Sequence, residues 1–449
     1  MRRKSFLLLA LAPAVLVCVP SPTPPSGEQL CDWSGACADG YYCSGGACWK
    51  NGDTPHGASG GAGGGSGKAG ESGIAALADN VIGVSVDSGL PNIGYVNGLF
   101  ANITVCVPGT SDCQTIDHVL VDTGSSGLRL LGSALTLSLP AWTDGSGGAL
   151  AECAQMVSGF IWGPLRTLDL SIAGEQAKRL AIQVIEEASY PVPRDCTGSD
   201  AGTAEALGAN GFLGVGTALQ DCGSACAAPL GAGSANPGAY YACSSTANGG
   251  CQAAAVPVSK QVSNPVSFFS QDNNGIIIEL PPVPADGASS VTGALVFGIG
   301  TRDNNNLGQA TVLPLDSLGH FLTKYPANGT TWQAFADTGS NAIYFLDSAT
   351  TGIPTCSDAA AFYCPNSTLS LSAKIQDSAG LVAVSVNFSI ANAERLGANN
   401  NYIAFDNLGG PSVAGMWFEW GLPFHFGRNV FIAIEGQSTP TGAGPFIAF

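Results

Sequence analysis

Positive charge is scarce in this chain. Sixteen Lys and Arg stand against 33 Asp and Glu, and the net charge is −17. A nucleic-acid partner needs a basic footprint to neutralise phosphates, so that class of function is set aside. Charge of either sign is thin, at 11% of residues, which argues against long helices facing solvent. Histidine is almost missing: His56, His118, His320 and His425 stand singly, so no metal site and no cofactor is expected. After residue 19 no apolar run is long enough to cross a bilayer as a helix.

What is present fits a β-rich protein. Hydrophobic residues make up 45%, with 61 Gly and 27 Pro, and the apolar runs are short and cut by Gly, Pro, Asn and Asp. Helical periodicity is poor nearly everywhere. Fifteen Cys are an odd set, and removing Cys18 with a leader leaves an even one. The close spacings Cys106/Cys113, Cys243/Cys251 and Cys356/Cys364 look like closed loops, so a disulfide framework and an oxidising compartment are expected. Cys222 and Cys226 lack the second pair that a zinc site needs.

The order of segments suggests a tethered domain. Arg2, Arg3 and Lys4 precede the apolar stretch Phe6–Val19, so residues 1–19 are expected to be an export signal. Cys18 stands where a bacterial lipoprotein carries its lipidated cysteine, yet Val17 is larger than the small residue that such a site takes. A lipid anchor at Cys18 and plain secretion remain as alternatives, both placing the protein outside the cell or in its envelope. Residues 20–27 read as a Pro/Ser tether. Cys31, Cys37, Cys43 and Cys48 define a small disulfide-stapled module over 28–50, too poor in apolar residues for a core. Residues 51–78 read as a Gly/Ser-rich linker. The main domain follows, with a polar break at Asp303–Asn306 dividing it into lobes 79–306 and 307–449.

The chain is organised around a repeated turn. Val119-Leu120-Val121 ends in Asp122-Thr123-Gly124-Ser125, and an apolar segment follows. One such tripeptide is an ordinary turn. Here Ala334-Phe335-Ala336 leads into Asp337-Thr338-Gly339-Ser340 with the same layout, and the two tetrads are 215 positions apart. The likeness extends to Leu131-Gly132-Ser133-Ala134 and Leu346-Asp347-Ser348-Ala349. A repeat at this spacing implies a duplicated lobe.

Two such turns resemble those of the pepsin-like aspartic peptidases. Asn210-Gly211-Phe212-Leu213-Gly214-Val215-Gly216 is similar to the element that crosses beneath the first catalytic turn of that family. Gly293–Gly298 is similar to the stretch ahead of the second lobe, and Trp420-Gly421 through Ile432 to the second crossing element. Val119–Leu131, Gly163-Pro164 and Gly208–Gly216 look closer still to a bacterial secreted family of unknown function that is itself pepsin-like. The resemblance runs from about Asn80 to Phe449. It implies an all-β, bilobal double β-barrel with an interlobe cleft, few short helices and a single-chain, monomeric enzyme.

The same resemblance implies a reaction. Asp122 and Asp337 would be the catalytic pair of an endopeptidase, sharing one proton because like charges a few ångströms apart cannot both ionise. Thr123 and Thr338 would bond across the pseudo-twofold axis. Ser125 and Ser340 would donate to the outer carboxylate oxygens, and Gly124 and Gly339 would allow close backbone approach. The substrate would be a peptide or protein bound as an extended strand. Three departures stand out. No Tyr lies in Ala151–Gly174, where the family carries one on its mobile hairpin; Gln155 and Trp162 are the candidates there. Glu419 precedes Trp420 where an apolar residue is usual, and Cys222–Cys251 has no counterpart. The other reading is a catalytically idle scaffold of the same fold that binds a protein or peptide.

Overall fold

The computed structural model describes residues 29–30, 41–44 and 47–50, and from 78 to 449 all but 146, 188, 232–235, 245–249 and 413–416. The chain divides into two compact units, Met1–Ala75 and Ala76–Phe449. The described part of the first is a three-stranded antiparallel sheet with Ala47–Lys50 between Gln29–Leu30 and Tyr41–Ser44. The expected leader with Cys18, the tether, the linker through residue 77 and the side chains of the Cys-rich module lie outside the described residues.

The second unit is built from strands, and its helices are single turns. In the first lobe six strands close on themselves. Gly98–Cys106 pairs with Cys113–Asp122, then follow Gly211–Val215, Ser126–Leu131, Glu175–Ile185 and Gly159–Ile172, which returns to Gly98–Cys106. Closure removes the exposed edges that an open sheet would present. The barrel strands carry runs such as Leu168, Leu170, Ile182 and Val184 inward, each at most 2% exposed. The second lobe is a seven-stranded sheet in the order Ala383–Ile390, Leu369–Gln376, Phe321–Tyr325, Thr330–Ala336, Trp417–Trp420, Ile343–Phe345, Gly409–Gly410.

The barrel's sheet continues through the pair Gly98–Cys106/Val81–Asp87 into a run of six strands, three from each side of the Asp303–Asn306 break. Val81–Asp87, Val291–Phe297 and Gly275–Leu280 join Arg428–Ala433, Phe446–Ala448 and Val312–Pro314, the seam being the antiparallel pair Gly275–Leu280/Arg428–Ala433. Asn97 adds a second tie: its amide donates to Asn341 O at 2.8 Å and Phe405 O at 3.0 Å.

Cys106–Cys113, Cys243–Cys251 and Cys356–Cys364 are bonded as their spacing suggested, and Cys222–Cys226 and Cys153–Cys196 are bonded as well. The Cys-rich excursion is not a free loop. Its strand Tyr240–Cys243 pairs with Ala149–Met156 and extends the sheet. The strand Ala383–Ile390 pairs with the earlier Leu369–Gln376. The turn falls before it because Asp377 Oδ1 accepts from the amides of Leu381 (2.6 Å) and Val382 (2.9 Å).

Candidate active site

Each Asp-Thr-Gly-Ser turn joins an incoming strand to an outgoing one: Cys113–Asp122 to Ser126–Leu131, and Thr330–Ala336 to Ile343–Phe345. A third strand crosses between, parallel to the incoming strand and antiparallel to the outgoing one. It is Gly211–Val215 in the first lobe and Trp417–Trp420 in the second. A glycine stands near the end of each crossing segment, Gly214 within the first strand and Gly421 just after the second, because the turn sits on it. A Cβ on Gly214 would lie 2.8 Å from Ser125 Oγ, and one on Gly421 would lie 2.1 Å from Ala342 O.

The two turns meet where the lobes join. Thr123 N donates to Thr338 Oγ1 at 3.2 Å, and Thr338 N donates to Thr123 Oγ1 at 2.9 Å. The hydroxyls continue inward, Thr338 to Val121 O at 2.7 Å and Thr123 to Ala336 O at 3.4 Å. Both threonines are buried. This cross-bonding holds Asp122 and Asp337 face to face. The amide of Gly124 lies 2.8 Å from Asp122 Oδ1 and 3.1 Å from Asp337 Oδ1, so a single N–H reaches both carboxylates. Gly339 N donates to Asp337 Oδ1 at 2.8 Å. Ser125 Oγ donates to Asp122 Oδ2 at 2.5 Å, and Ser340 Oγ is 2.6 Å from Asp337 Oδ2. A Cβ on Gly124 would come within 2.6 Å of Asp337 Cγ, which is why this position takes glycine.

Asp122 is held well above the ordinary carboxylate range, first by burial, then by the charge of Asp337 and the hydrogen bond between them. That is the behaviour of two acids sharing one proton. Gly124 is exposed and both aspartates are half-buried, so the pair is open to solvent.

Around this centre lie residues that motif matching did not assign. Arg129, in an outgoing strand buried along all its length, is 1% exposed. Its Nη2 contacts Glu152 Oε1 at 2.8 Å and Asp221 Oδ2 at 2.9 Å, and its Nε donates to Gln183 Oε1 at 3.0 Å. Tyr240 closes the network by donating to Asp221 Oδ1 at 2.6 Å. A cation inside Leu128-Arg129-Leu130-Leu131 was the available signal, because a buried charge must be paired. In the second lobe Glu419 is bonded to Ser340 Oγ, and burial, followed by the charge of Asp337, pushes its acid up to about 8. His425, fully buried in the single turn Leu422–His425, has Nδ1 3.2 Å from Gly421 O and is lowered to about 4 by burial.

The hairpin Ala149–Met156/Gly159–Ile172 occupies the predicted stretch, but its two candidate side chains do not converge on the aspartates. Trp162 is buried, packs edge-on against Tyr241 and donates to Tyr190 O. Gln155 is exposed, with its amide 3.2 Å from Cys153 Sγ. Neither contacts Asp122 or Asp337 among the described residues. A cavity of about 810 Å³ lies elsewhere in the second lobe, with Ser370, Asn387, Asp406 and Arg428 on its wall.

No curated protein matches the chain. Among solved structures it is similar to the aspartic proteinase from Irpex lacteus, at 16% identity and a TM-score of 0.46, over 82% of this chain and 96% of that one. Residues 76–449, the whole of the unit that holds both turns, match the model of the family described as protein of unknown function (DUF3443), and the chain belongs to that family.

Proposed function

We propose that this protein is an exported aspartic endopeptidase in which Asp122 and Asp337 activate one water between them. The observation that carries the reading is the Gly124 amide, which lies within hydrogen-bond distance of an inner oxygen of each carboxylate. Two acids held this close by backbone and threonine bonds have no packing use for their charge, but they suit general acid–base hydrolysis. The amides of Gly124 and Gly339 both donate to Asp337 Oδ1, whereas Asp122 Oδ1 accepts from Gly124 alone, so Asp337 is assigned as the base and Asp122 as the acid. Asp337 takes a proton from water as its oxygen attacks the peptide carbonyl carbon, and Asp122 gives its proton to the carbonyl oxygen. In the collapse that follows, Asp337 passes the proton it gained to the departing amine, and Asp122 recovers one from the hydroxyl. The substrate is an extended peptide or protein segment lying across the junction of the lobes. Five disulfides among the described residues support an oxidising, extracytoplasmic setting, and no described helix is long and apolar enough to span a membrane.

The test uses purified full-length protein and a denatured protein substrate from acidic to neutral pH, with and without a statine-type inhibitor. Cleavage that is inhibited, and that is lost in Asp122→Asn and in Asp337→Asn, is the expected result. Cleavage surviving either substitution removes the pair from the mechanism. The hairpin favours a second reading, a peptide-binding scaffold without catalysis, because Trp162 is turned into its own apolar cluster and no tyrosine stands on that hairpin. Absence of cleavage at every pH, with the peptide-like inhibitor still bound tightly, selects the scaffold.

A further inference from the structure

The hydroxyl of Ser340 poses a counting problem. It has one hydrogen, and two carboxyl oxygens lie against it: Asp337 Oδ2 at 2.6 Å and Oε1 of Glu419. One contact uses the serine hydrogen; the other needs a hydrogen from the acid itself. Either Asp337 or Glu419 therefore carries a proton on this side. The hydroxyl of Ser125, the equivalent residue of the first turn, is bonded only to Asp122 among the described residues.

The surroundings decide which acid it is. Asp337 accepts from two backbone amides, Gly339 and Gly124, which favour its ionised form. Glu419 is 8% exposed, between the fully buried Phe418 and Trp420. Among the described residues no cation and no amide is bonded to its carboxyl; it meets Ser340 and Asp337. The other titratable groups facing it do not offer a charge to balance. Tyr344, opposite on the outgoing strand, donates to Asn341 Oδ1 at 2.7 Å. His425 is neutral over most of the pH range, and the guanidinium of Arg428 is directed to the carbonyls of Phe424 and Phe426. The incoming strand Thr330–Ala336 has no titratable residue.

We propose that Glu419 is a third acid of this site, a positioning residue that stays protonated, donates to Ser340, and so fixes Asp337 as the ionised partner of Asp122. The chain of donors then runs one way, from the Glu419 carboxylic acid to Ser340 Oγ and from Ser340 to Asp337 Oδ2. Loss of the Glu419 proton reverses the serine and adds a negative charge beside the pair, which ends activity on the alkaline side. The shift of Glu419 toward neutral pH agrees with this geometry. The inference rests on the peptidase reading, and the experiment separates the two.

Wild type, Glu419→Gln and Glu419→Leu are compared as full-length proteins. Gln keeps an N–H for Ser340 but cannot ionise. Its kcat at acidic pH is expected within about threefold of wild type, with the alkaline limb displaced upward by about one pH unit. Leu offers no donor, and kcat is expected to fall about tenfold with KM changed less than about twofold. A Leu variant with wild-type kcat and pH profile overturns the proposal. So does a Gln variant as impaired as Leu with its alkaline limb unmoved, since that outcome marks packing alone. Infrared difference spectra of wild type against Glu419→Gln give a readout without substrate. A protonated-carboxyl stretch at pH 6 that is missing from the variant, and that fades as pH passes about 8, supports the proposal. Its absence at pH 6 overturns it. The band present in a wild type that cleaves nothing rejects the peptidase reading while leaving the Glu419 proton in place.

Discussion

Beneath the first turn the crossing strand presents Phe212 at the register position where, beneath the second, it presents Glu419. On the neighbouring outgoing strand Phe212 faces Arg129, and Glu419 faces Tyr344. The inner layer is nearly symmetric: paired threonines, an amide on each carboxylate, a serine on each outer oxygen. One layer out the halves differ in kind. The first lobe buries a cation and satisfies it with two acids, while the second buries an acid with no cation bonded to it. A symmetric frame brings two aspartates together, but it cannot tell them apart. The outer layer supplies that distinction, because a carboxylate and a carboxylic acid need different neighbours.

The comparison can be broken at several depths. If the inner layer is equivalent, Asp122→Asn and Asp337→Asn each lower kcat by about a thousandfold, measured on a denatured protein substrate. A variant that retains substantial activity at one position alone ends the equivalence. Next in size is the buried cation. Arg129→Met strands Glu152 and Asp221 and is expected to cost roughly 3–5 kcal/mol of unfolding free energy, whereas Tyr344→Phe at the matching position costs about 1 kcal/mol. Denaturant midpoints check both, and equal losses would dissolve the contrast between lobes.

The buried acid leaves a mark on stability against pH. Glu419 is raised from an ordinary 4.5 to about 8, so between these values the folded chain holds a proton that the unfolded chain releases. Stability from this group is therefore whole below pH 4.5, falls as pH rises, and is lost by about pH 8, a difference on the order of a few kcal/mol. Glu419→Gln is expected to flatten that fall, read from denaturation at pH 5 and pH 8; an unchanged slope places the titration on another group. The smallest effect sharpens the inner layer itself. Thr338 reaches Val121 O at 2.7 Å while Thr123 reaches Ala336 O at 3.4 Å. Thr338→Val should thus destabilise by about 1 kcal/mol more than Thr123→Val.

The repeated tetrad and its spacing made the duplicated β fold legible, since an apolar run ending in Asp-Thr-Gly reads the same way twice. The close cysteine pairs were legible for the same local reason: loops of seven or eight residues bring their ends together. Cys153–Cys196 spans 43 residues and could not be read from spacing. Trp162 looked like a cleft residue because the hairpin was placed by order along the chain, and order does not say which face a strand turns outward. Glu419 was visible as an acid in an apolar element, but its partner lies 79 positions away on the turn, and only the fold joins them. Arg129 carried the same kind of signal and passed unassigned, with Glu152 and Asp221 being 23 and 92 positions distant.

The six-stranded run that joins the two halves also bears on the order in which the molecule is made. Its seam needs Arg428–Ala433, and that strand is in turn flanked by Phe446–Ala448. A nascent chain that has emerged only through residue 300 contains every strand of the barrel around Asp122, yet it lacks Asp337 and the three later strands of that run. The paired turns and the strands that tie the halves together are thus complete only after synthesis has passed residue 448.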